Sequence, residues 1–345
     1  MRGFDYAAID KRLWDGEILR LIGDIRERKG RLDVYLKENA GTLGMAAEAA
    51  RLRSIESANA IENIFVPKSR IKQICAKKTQ PQNDSEQDIL GYSEAYRTVL
   101  EGYDSMPVRL RYVQQLHREL YSYARGVGGN FKKTHESIKA VDSLGNEIVL
   151  FTPMTPYETP GAIDEICNKF KRAESEGRVE PLLLIPIFIL DFLSIRPFSE
   201  GNERVSSLLT ALLLLRSGYS VIKYVSIDGL IEESRSEYFT ALRTSQHGWS
   251  EGREDVIPFV KYFLCRLLDA YREFEERIDI FGEKQSALES VRKAAYAAEK
   301  FTKAEMQELC PRLGKTSVES SLRRLVLEGV LSRHGSGRST YYELK

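Results

Sequence analysis

The residues best suited to chemistry lie in one short stretch, Ile195-Arg196-Pro197-Phe198-Ser199-Glu200-Gly201-Asn202-Glu203-Arg204-Val205-Ser206-Ser207. Pro, Gly and Asn turn the chain there, and carboxylates and two arginines accompany the turn. A Gly201-Asn202 turn that opens a helix leaves backbone N–H groups without intrahelical acceptors. Such a group of donors is a ready anion site, and phosphate is the usual anion. A neighbouring carboxylate, Glu200, is the kind of ligand that Mg²⁺ takes together with substrate phosphates. A second candidate is Glu62, within Ser54-Ile55-Glu56-Ser57-Ala58-Asn59-Ala60-Ile61-Glu62-Asn63-Ile64. It stands among apolar neighbours and so needs a cationic partner or water. On spacing alone, a surface glutamate on a packed helix is an equal alternative. His117, in Leu116-His117-Arg118-Glu119-Leu120, is a lone histidine on a helix-like run, a setting more often structural than catalytic.

Two apolar runs flank the loop, Leu182 to Leu193 and Leu208 to Leu215, and both read as helices. The first is shorter than the ~20 apolar residues that span a bilayer. It also contains Pro186 and Asp191, and reads as a central buried helix. Upstream, Leu13, Ile18, Leu19, Leu21, Ile22 and Ile25 recur at helical spacing. Lys29-Gly30 offers a break before a second helix, so residues 6–50 read as a helical hairpin. Ala47 to Val66 is a helix with small residues on one side, and Asn63 is placed to end it. Lys77 to Glu86 reads as an exposed loop, and Asp88 to Gly102 and Val108 to Arg125 as helices. Gly126, Gly128 and Gly129 loosen the chain ahead of two β-rich runs, Ser137 to Val141 and Glu147 to Phe151. Their Gly-containing turn makes them a hairpin, either a flap over a site or a decoration. Ala162 to Glu176, Asp228 to Gln246 and Ile257 to Ile280 read as further helices.

Composition narrows the function classes. The chain has 345 residues, 42% apolar and 29% charged, which describes an ordinary globular protein of two or three domains. A net charge of +1 gives no global field for nucleic acid or membrane, so any basic patch is local. Cys75, Cys167, Cys265 and Cys310 are far apart and form no CxxC pair. That fits reduced thiols in a cytosolic protein, not a disulfide frame or a zinc site. The N-terminus starts no apolar h-region, so no signal peptide is expected.

From Phe301 the organisation changes. Thr302-Lys303-Ala304-Glu305 has the form of a helix start with Thr302 as N-cap, and Ser317 to Glu328 is a second helix ended by Gly329. Strand, turn and strand follow, from Val330 to Leu344. Helix, helix, hairpin is the order of a winged helix. Residues 301–345 carry eight Lys/Arg against five Asp/Glu, and Arg323, Arg324, Arg333 and Arg338 are the candidates for phosphate contact. The alternative is a winged helix used for protein contact.

The stretch from Arg196 to Ser207 resembles the signature of the Fic (Fido-fold) family, His-x-Phe-x-(Asp/Glu)-Gly-Asn-Gly-Arg-x-x-Arg. Ser57 to Asn63 is similar to the family's inhibitory helix, Gly128 to Pro160 to its flap, and Leu208 to Gly218 and Tyr224 to Tyr238 to the helices after the motif. The resemblance implies a mainly α Fic fold with a β-hairpin flap, plus a small C-terminal winged-helix domain. It implies ATP and Mg²⁺ as ligands and transfer of AMP to a hydroxyl on a target protein. Carried over by position, Phe198 anchors the loop, Glu200 holds Mg²⁺, and Gly201 and Asn202 belong to the anion hole. Arg204 binds phosphate, and Tyr238 and Phe239 fall where the family builds its adenine wall.

Three positions depart from the signature. Arg196 replaces the general-base His, and a guanidinium cannot be deprotonated at physiological pH. Glu203 replaces the anion-hole Gly. Ser207 replaces the second arginine, the usual partner of the inhibitory glutamate, so Glu62 lacks its expected partner. Arg196 is then free to pair with Glu62 or Glu203. The sequence thus implies an N-terminal helical region over residues 1–105 with an inhibitory-like helix at 54–64, a Fic core over 106–280, and a linker helix and winged helix over 281–345. The expected function is a weak or inactive adenylyltransferase-like protein with a regulatory role. The alternatives are an active transferase with an altered site, using Glu200 or Glu203 as base, and a winged-helix DNA-binding regulator. A cytoplasmic location, no membrane partner and a homodimer complete the expectations.

Overall fold

A computed structural model describes residues 3–6, 9, 15–38, 43–124, 128–141, 145–282, 287–311, 313–337 and 340–344. In chain order the elements begin with α1 (Gly16–Glu38), α2 (Gly44–Ile61), α3 (Lys68–Cys75), α4 (Asp84–Gly102) and α5 (Leu110–Leu120). The hairpin β1 (Ile138–Val141) and β2 (Glu147–Phe151) follows, then α6 (Thr159–Glu176), α7 (Pro181–Ile195) and α8 (Asn202–Arg216). Next come α9 (Ile227–Glu233), α10 (Arg235–Gln246), α11 (Ile257–Gly282) and α12 (Ala287–Ala298). The chain ends with β3 (Lys300–Thr302), α13 (Lys303–Leu309), α14 (Lys315–Leu327), β4 (Leu331–His334) and β5 (Tyr341–Leu344). Two compact units result, residues 1–36 with 46–271, and residues 37–45 with 272–345.

The first unit is built on α7. From Leu182 to Ile195 every residue of this helix is buried, which is why its sequence shows no polar face. Glu180 caps its start, Pro181 occupies the first turn where no N–H is needed, and α6, α8 and α10 pack around it. Asp191 in its middle is 1% exposed and accepts from Tyr6 Oη (2.9 Å) and Trp249 Nε1 (2.7 Å), so its burial is met by donors. The hairpin pairs antiparallel as expected, Lys139 opposite Val149 and Val141 opposite Glu147. Its tip residues Asp142, Ser143 and Leu144 lie outside the described residues.

Several expected boundaries move. Helix α1 runs unbroken through Gly30, where the Lys29–Asp33 ion pair (2.7 Å) spans one turn, so the glycine costs about 1 kcal/mol without ending the helix. Asp228 to Gln246 is two helices, with Ser234 as the joint. The expected helix over Ala47 to Val66 stops at Ile61, and Glu62 and Asn63 form the turn after it. Asn63 ends it by adopting φ +62°, a left-handed conformation Asn tolerates. Helix α3 and strand β3 had no periodic signal strong enough to be read.

The second unit has its own core, including Val291, Phe301, Met306, Val318, Leu322, Leu325 and Leu331. Its strand order is β3-β5-β4, all antiparallel, so the short β3 joins the expected terminal hairpin. Thr302 forms the expected N-cap. Its hydroxyl accepts from the Glu305 N–H (3.2 Å), and the Glu305 carboxylate accepts from the Thr302 N–H (2.8 Å). Thr302→Ala is expected to cost roughly 1 kcal/mol and to raise amide exchange at Glu305, with Thr302→Ser close to wild type; unchanged exchange at Glu305 counts against the cap.

Candidate functional site

The motif loop is held from three sides. Arg196 caps the end of α7 in a left-handed conformation, φ +46°, which turns the chain sharply out of the helix. The Asn202 side chain closes the loop on itself. Its Oδ1 accepts from the Phe198 N–H (3.0 Å) and its Nδ2 donates to the Phe198 carbonyl (2.8 Å), with the residue fully buried. The Asn202 side chain therefore shapes the loop, and what the position offers an anion is backbone, as expected. Gly201, at φ +74°, precedes α8, and a Cβ there would sit 3.0 Å from both Leu120 Cδ2 and Tyr121 Oη, so this position requires glycine.

His117 supports the loop from α5. Its ring stacks on Phe198 with centroids 3.7 Å apart and planes 8° apart. The Gly129 N–H donates to Nδ1 (2.7 Å), which leaves the ring proton on Nε2, facing the Glu200 carbonyl at 3.2 Å. Burial, with Arg204 nearby, lowers the His117 pKa to about 4. The ring is thus a neutral support, as a lone helical histidine suggests. Lys132 adds a second clamp. Its Nζ donates to the Ile195 carbonyl (2.8 Å) at the negative end of α7, its backbone N–H bonds the Pro197 carbonyl (2.9 Å), and burial lowers its pKa to about 8.

The open backbone donors at the start of α8 belong to Glu203 and Arg204, and both point at Glu62. Glu62 Oε1 accepts from the Glu203 N–H (3.0 Å) and the Arg204 N–H (3.3 Å). Its Oε2 accepts from Arg204 Nε (2.6 Å). The side chain of Glu62 therefore has the partner that position-by-position comparison denied it, the first motif arginine in place of the second. Arg204 is itself buried, with a side chain 3% exposed, and is flanked by Asp88 (3.1 Å) and Tyr121 Oη (3.0 Å). Against the penalty of burial, these neighbours hold its pKa above the ordinary value. Burial pushes the Glu62 carboxyl up to about 7, opposing the pull of Arg204.

Arg196 pairs with Glu203 and not with Glu62. Its Nη1 bonds Glu203 Oε1, and its Nη2 lies 3.3 Å from Oε2. Although burial works the other way, Arg196 holds the Glu203 carboxyl below its ordinary pKa. The two departures from the signature thus compensate each other. The third is also accommodated: Ser207 donates to Asp228 Oδ1 and lies 2.7 Å from Tyr92 Oη. Asp228 is fully buried, and burial pushes its pKa to about 6 while Ser207 and Ser54 pull it down. This group borders a cavity of about 30 Å³, room for about one water, which Tyr238 also lines. Tyr238 is 5% exposed. Phe239 instead faces a larger cleft of about 670 Å³ between the hairpin and α10, lined by Phe151, Arg196, Glu203, Arg235 and Arg243 among others. The open aromatic wall is Phe239, not Tyr238.

Two N–H groups and a guanidinium are the donor set an anion asks for, and a carboxylate already takes it. The set fits a phosphate oxygen, and phosphate and Glu62 exclude each other there. Glu200 is exposed, and among the described residues no three His, Cys, Asp or Glu are grouped to hold a metal. Glu200 would hold Mg²⁺ only with phosphate oxygens and water as its remaining ligands. In the second unit, Arg323 and Arg324 are both exposed on α14, and Arg324 Nε lies 3.1 Å from Glu328. Arg338 lies outside the described residues.

Sequence reasoning missed the roles of Lys132, Asp88 and Tyr121. Each lies within an element the sequence indicates, but none belongs to the motif, and each reaches the loop from another element. The His117 linkage gives a test. Its folded pKa lies below the ordinary 6.5, so the stability it contributes is present above pH 6.5 and lost as pH falls towards 4. The stability advantage of wild type over His117→Gln should therefore shrink across that window in denaturation curves. A constant difference overturns the buried neutral ring.

Comparison with known proteins agrees with this geometry. Residues 107–214 match the model of the Fic/DOC family. Protein adenylyltransferase Fic of Drosophila ananassae is 24% identical over 196 residues, covering 54% of this chain and 34% of that protein. The Drosophila sechellia protein of the same name is 22% identical over 247 residues, covering 68% and 45%. The chain thus spans less than half the length of these relatives. A Fic family protein from Desulfovibrio desulfuricans G20 superposes with TM-score 0.63 at 18% identity, covering 96% of each chain. Fic-1 of C. elegans superposes with TM-score 0.57 at 19% identity, covering 79% of this chain and 74% of that one. No described helix is long and apolar enough to cross a membrane. The matched span contains the loop and most of the two helices that flank it, so the site lies within the part of the chain that matches the Fic/DOC family.

Proposed function

We propose that this is a Fic-fold protein related to protein adenylyltransferases whose transfer site is closed by its own side chains, so that transfer is weak or absent and the domain serves regulation. The observation that carries this reading is the Arg196–Glu203 ion pair standing where a general base must stand. A guanidinium keeps its proton, and losing a general base costs typically 10²–10⁴-fold in rate. Glu203 is a poor substitute, since Arg196 engages both of its oxygens and, although burial works the other way, holds its pKa below the ordinary value, which weakens it as a base. Glu62 adds a second closure by filling the anion site. The residues for ATP are nonetheless present: the Glu203 and Arg204 N–H groups, the Arg204 guanidinium, Glu200 for Mg²⁺ and Phe239 beside the cleft. With Glu62 displaced, these side chains would hold and orient the nucleotide's phosphates. Arg196, at the position of the family's general base, would take no proton from a target hydroxyl.

Calorimetric titration with ATP and Mg²⁺ tests this. Wild type is expected to bind weakly, Glu62→Gly at least roughly tenfold more tightly because a charged competitor leaves the donors, and Glu200→Ala in that background to lose the Mg²⁺ dependence. Because Glu62 is charged above about pH 7 and neutral below it, the gap between wild type and Glu62→Gln should be widest at pH 8 and narrow at pH 6. Clear labelling of any protein from α-phosphate-labelled ATP by wild type or Glu62→Gly would sink the weak-transfer reading.

The second unit supports a second reading, duplex DNA as a partner. The outward face of α14 carries Thr316, Ser317, Ser320, Arg323 and Arg324, all exposed. Hydroxyls and guanidinium groups are donors that phosphates accept. Of the acidic neighbours, Glu319 pairs with Lys303, and Glu328 is shared between Arg292 (2.6 Å) and Arg324 (3.1 Å), which leaves the other guanidinium donors of Arg324 for phosphate. Binding to random duplex should weaken steeply between 50 and 200 mM salt, in the manner of about two or more phosphate contacts, and Arg323→Ala with Arg324→Ala should flatten that slope. Binding that ignores both salt and the double substitution removes DNA as the partner.

A further inference from the structure

We propose that Arg235 is a positioning residue that holds Glu62 in the anion site, a latch set on the rim of the open cleft. This rests on the reading of the Glu203 and Arg204 N–H groups as an anion site. Glu62 follows directly on the end of α2, so its reach to those groups depends on where that end is fixed. Arg235, the first residue of α10, grips the chain on both sides of Glu62. Its Nη1 donates to the Ala60 carbonyl (2.7 Å), and its Nη2 donates to Asn63 Oδ1 (3.0 Å).

Three features make this grip matter. The Ala60 carbonyl is among the last of α2, at its negative end; it accepts the Asn63 N–H (2.9 Å), and the guanidinium takes its remaining lone pair where a cation is most effective. Asn63, at φ +62°, makes the left-handed turn that presents Glu62, and its side chain is the second acceptor for Arg235, so the guanidinium ties the helix end to that turn. Ile55 and Ile61 are buried and anchor α2 itself, with polar contacts from Ser54 to Ser226 (2.8 Å) and Ser57 to Glu232 (3.2 Å) beside them, whereas Glu62 stands in the turn beyond that anchor, where Arg235 grips the residues on either side of it.

The latch is also reachable. Arg235 lines the hairpin–α10 cleft with Phe239 and Arg243, and its guanidinium lies 5.5 Å from the Phe239 ring centroid. An anionic group seated in that cleft competes with Ala60 and Asn63 for the guanidinium. Drawing Arg235 off loosens the turn, and with it the carboxylate that fills the anion site.

The sign of one measurement separates this role from simple electrostatics. Removing an arginine near an anion site ordinarily weakens anion binding, because a positive charge is lost. The latch predicts the reverse. Arg235→Ala in the full chain should tighten binding of ATP with Mg²⁺ by roughly tenfold, approaching Glu62→Gly, and should add nothing in the Glu62→Gly background. Hydrogen exchange without nucleotide reads the latch directly. Exchange at the Glu203 and Arg204 amides should rise by a similar factor in Arg235→Ala, while amides in the middle of α8 stay protected. Asn63→Gly keeps the left-handed turn but removes one of the two acceptors, and should give an intermediate effect, as should Arg235→Lys. Weaker nucleotide binding in Arg235→Ala, or unchanged exchange at Glu203 and Arg204, overturns the latch. If Glu62→Gly fails to tighten binding while the exchange response to Arg235→Ala is present, the anion-site reading fails and the latch stands as a restraint on α2 alone.

Discussion

A helix that begins beneath another element must find acceptors for its first N–H groups, because water cannot supply them. Helix α8 begins under the end of α2, and the acceptor it finds is the Glu62 carboxylate. This one contact organises its surroundings. A buried carboxylate needs a cation, and Arg204 supplies one from the same turn of α8. A buried guanidinium in turn needs more than one partner, and Asp88 and Tyr121 reach it from α4 and from the residue after α5. The loop ahead of α8 has to place those N–H groups without drifting, so Asn202 locks it to Phe198 and His117 stacks beneath. Elements far apart in sequence thus converge on two backbone donors.

The departures from the family signature read differently once placed in space. Taken singly, Glu203 at a glycine position puts a charge where phosphate should approach, and Arg196 removes a base. Taken together they are one ion pair, opposite in sign and directly bonded. A buried pair of this kind contributes little net stability, but removing either partner strands the other. The substitution of Ser207 follows the same logic. In place of an arginine there is a hydroxyl between Tyr92 and Asp228, and the nearest carboxylate is Asp228, whose raised pKa reflects burial beside hydroxyls and not beside a cation. Each altered position has a local partner in place of the one the signature supplies.

Much of this fold was legible because its signals are local. The apolar run of α7, the Thr302 cap, the hairpin about residues 142–146 and the Gly201 turn each follow from residue type and spacing. The motif and its three departures were equally plain. What spacing hid was pairing. Glu62 and Arg204 lie 142 positions apart, and nothing in either segment states that the carboxylate reaches the first arginine when the second is gone. Gly30 failed as a helix break because an isolated glycine costs less than the ion pair and packing around it restore. That the Asn202 amide closes the loop on Phe198 was equally hidden, since the identity of a residue does not reveal which way its amide faces.

A site filled by its own side chain is still a site, because filling and opening are two states of one element. Ligand affinity is then the intrinsic affinity scaled by the fraction of molecules in which Glu62 is out. If that fraction is small, wild-type binding is weak even where every donor is correctly placed, and weak binding alone does not separate a lost site from a closed one. The geometry favours closure. The N–H donors of Glu203 and Arg204 remain aligned on a single carboxylate oxygen, a set a decayed site has no reason to preserve. Chemistry and conformation also part company here. The missing base bears on transfer, whereas the Glu62 equilibrium bears on where α2 ends and on how the cleft beside Arg235 and Phe239 is shaped. On the proposed reading, a Fic fold without fast transfer keeps a ligand-dependent change of shape, and that change requires only the anion site and the helix end that closes it.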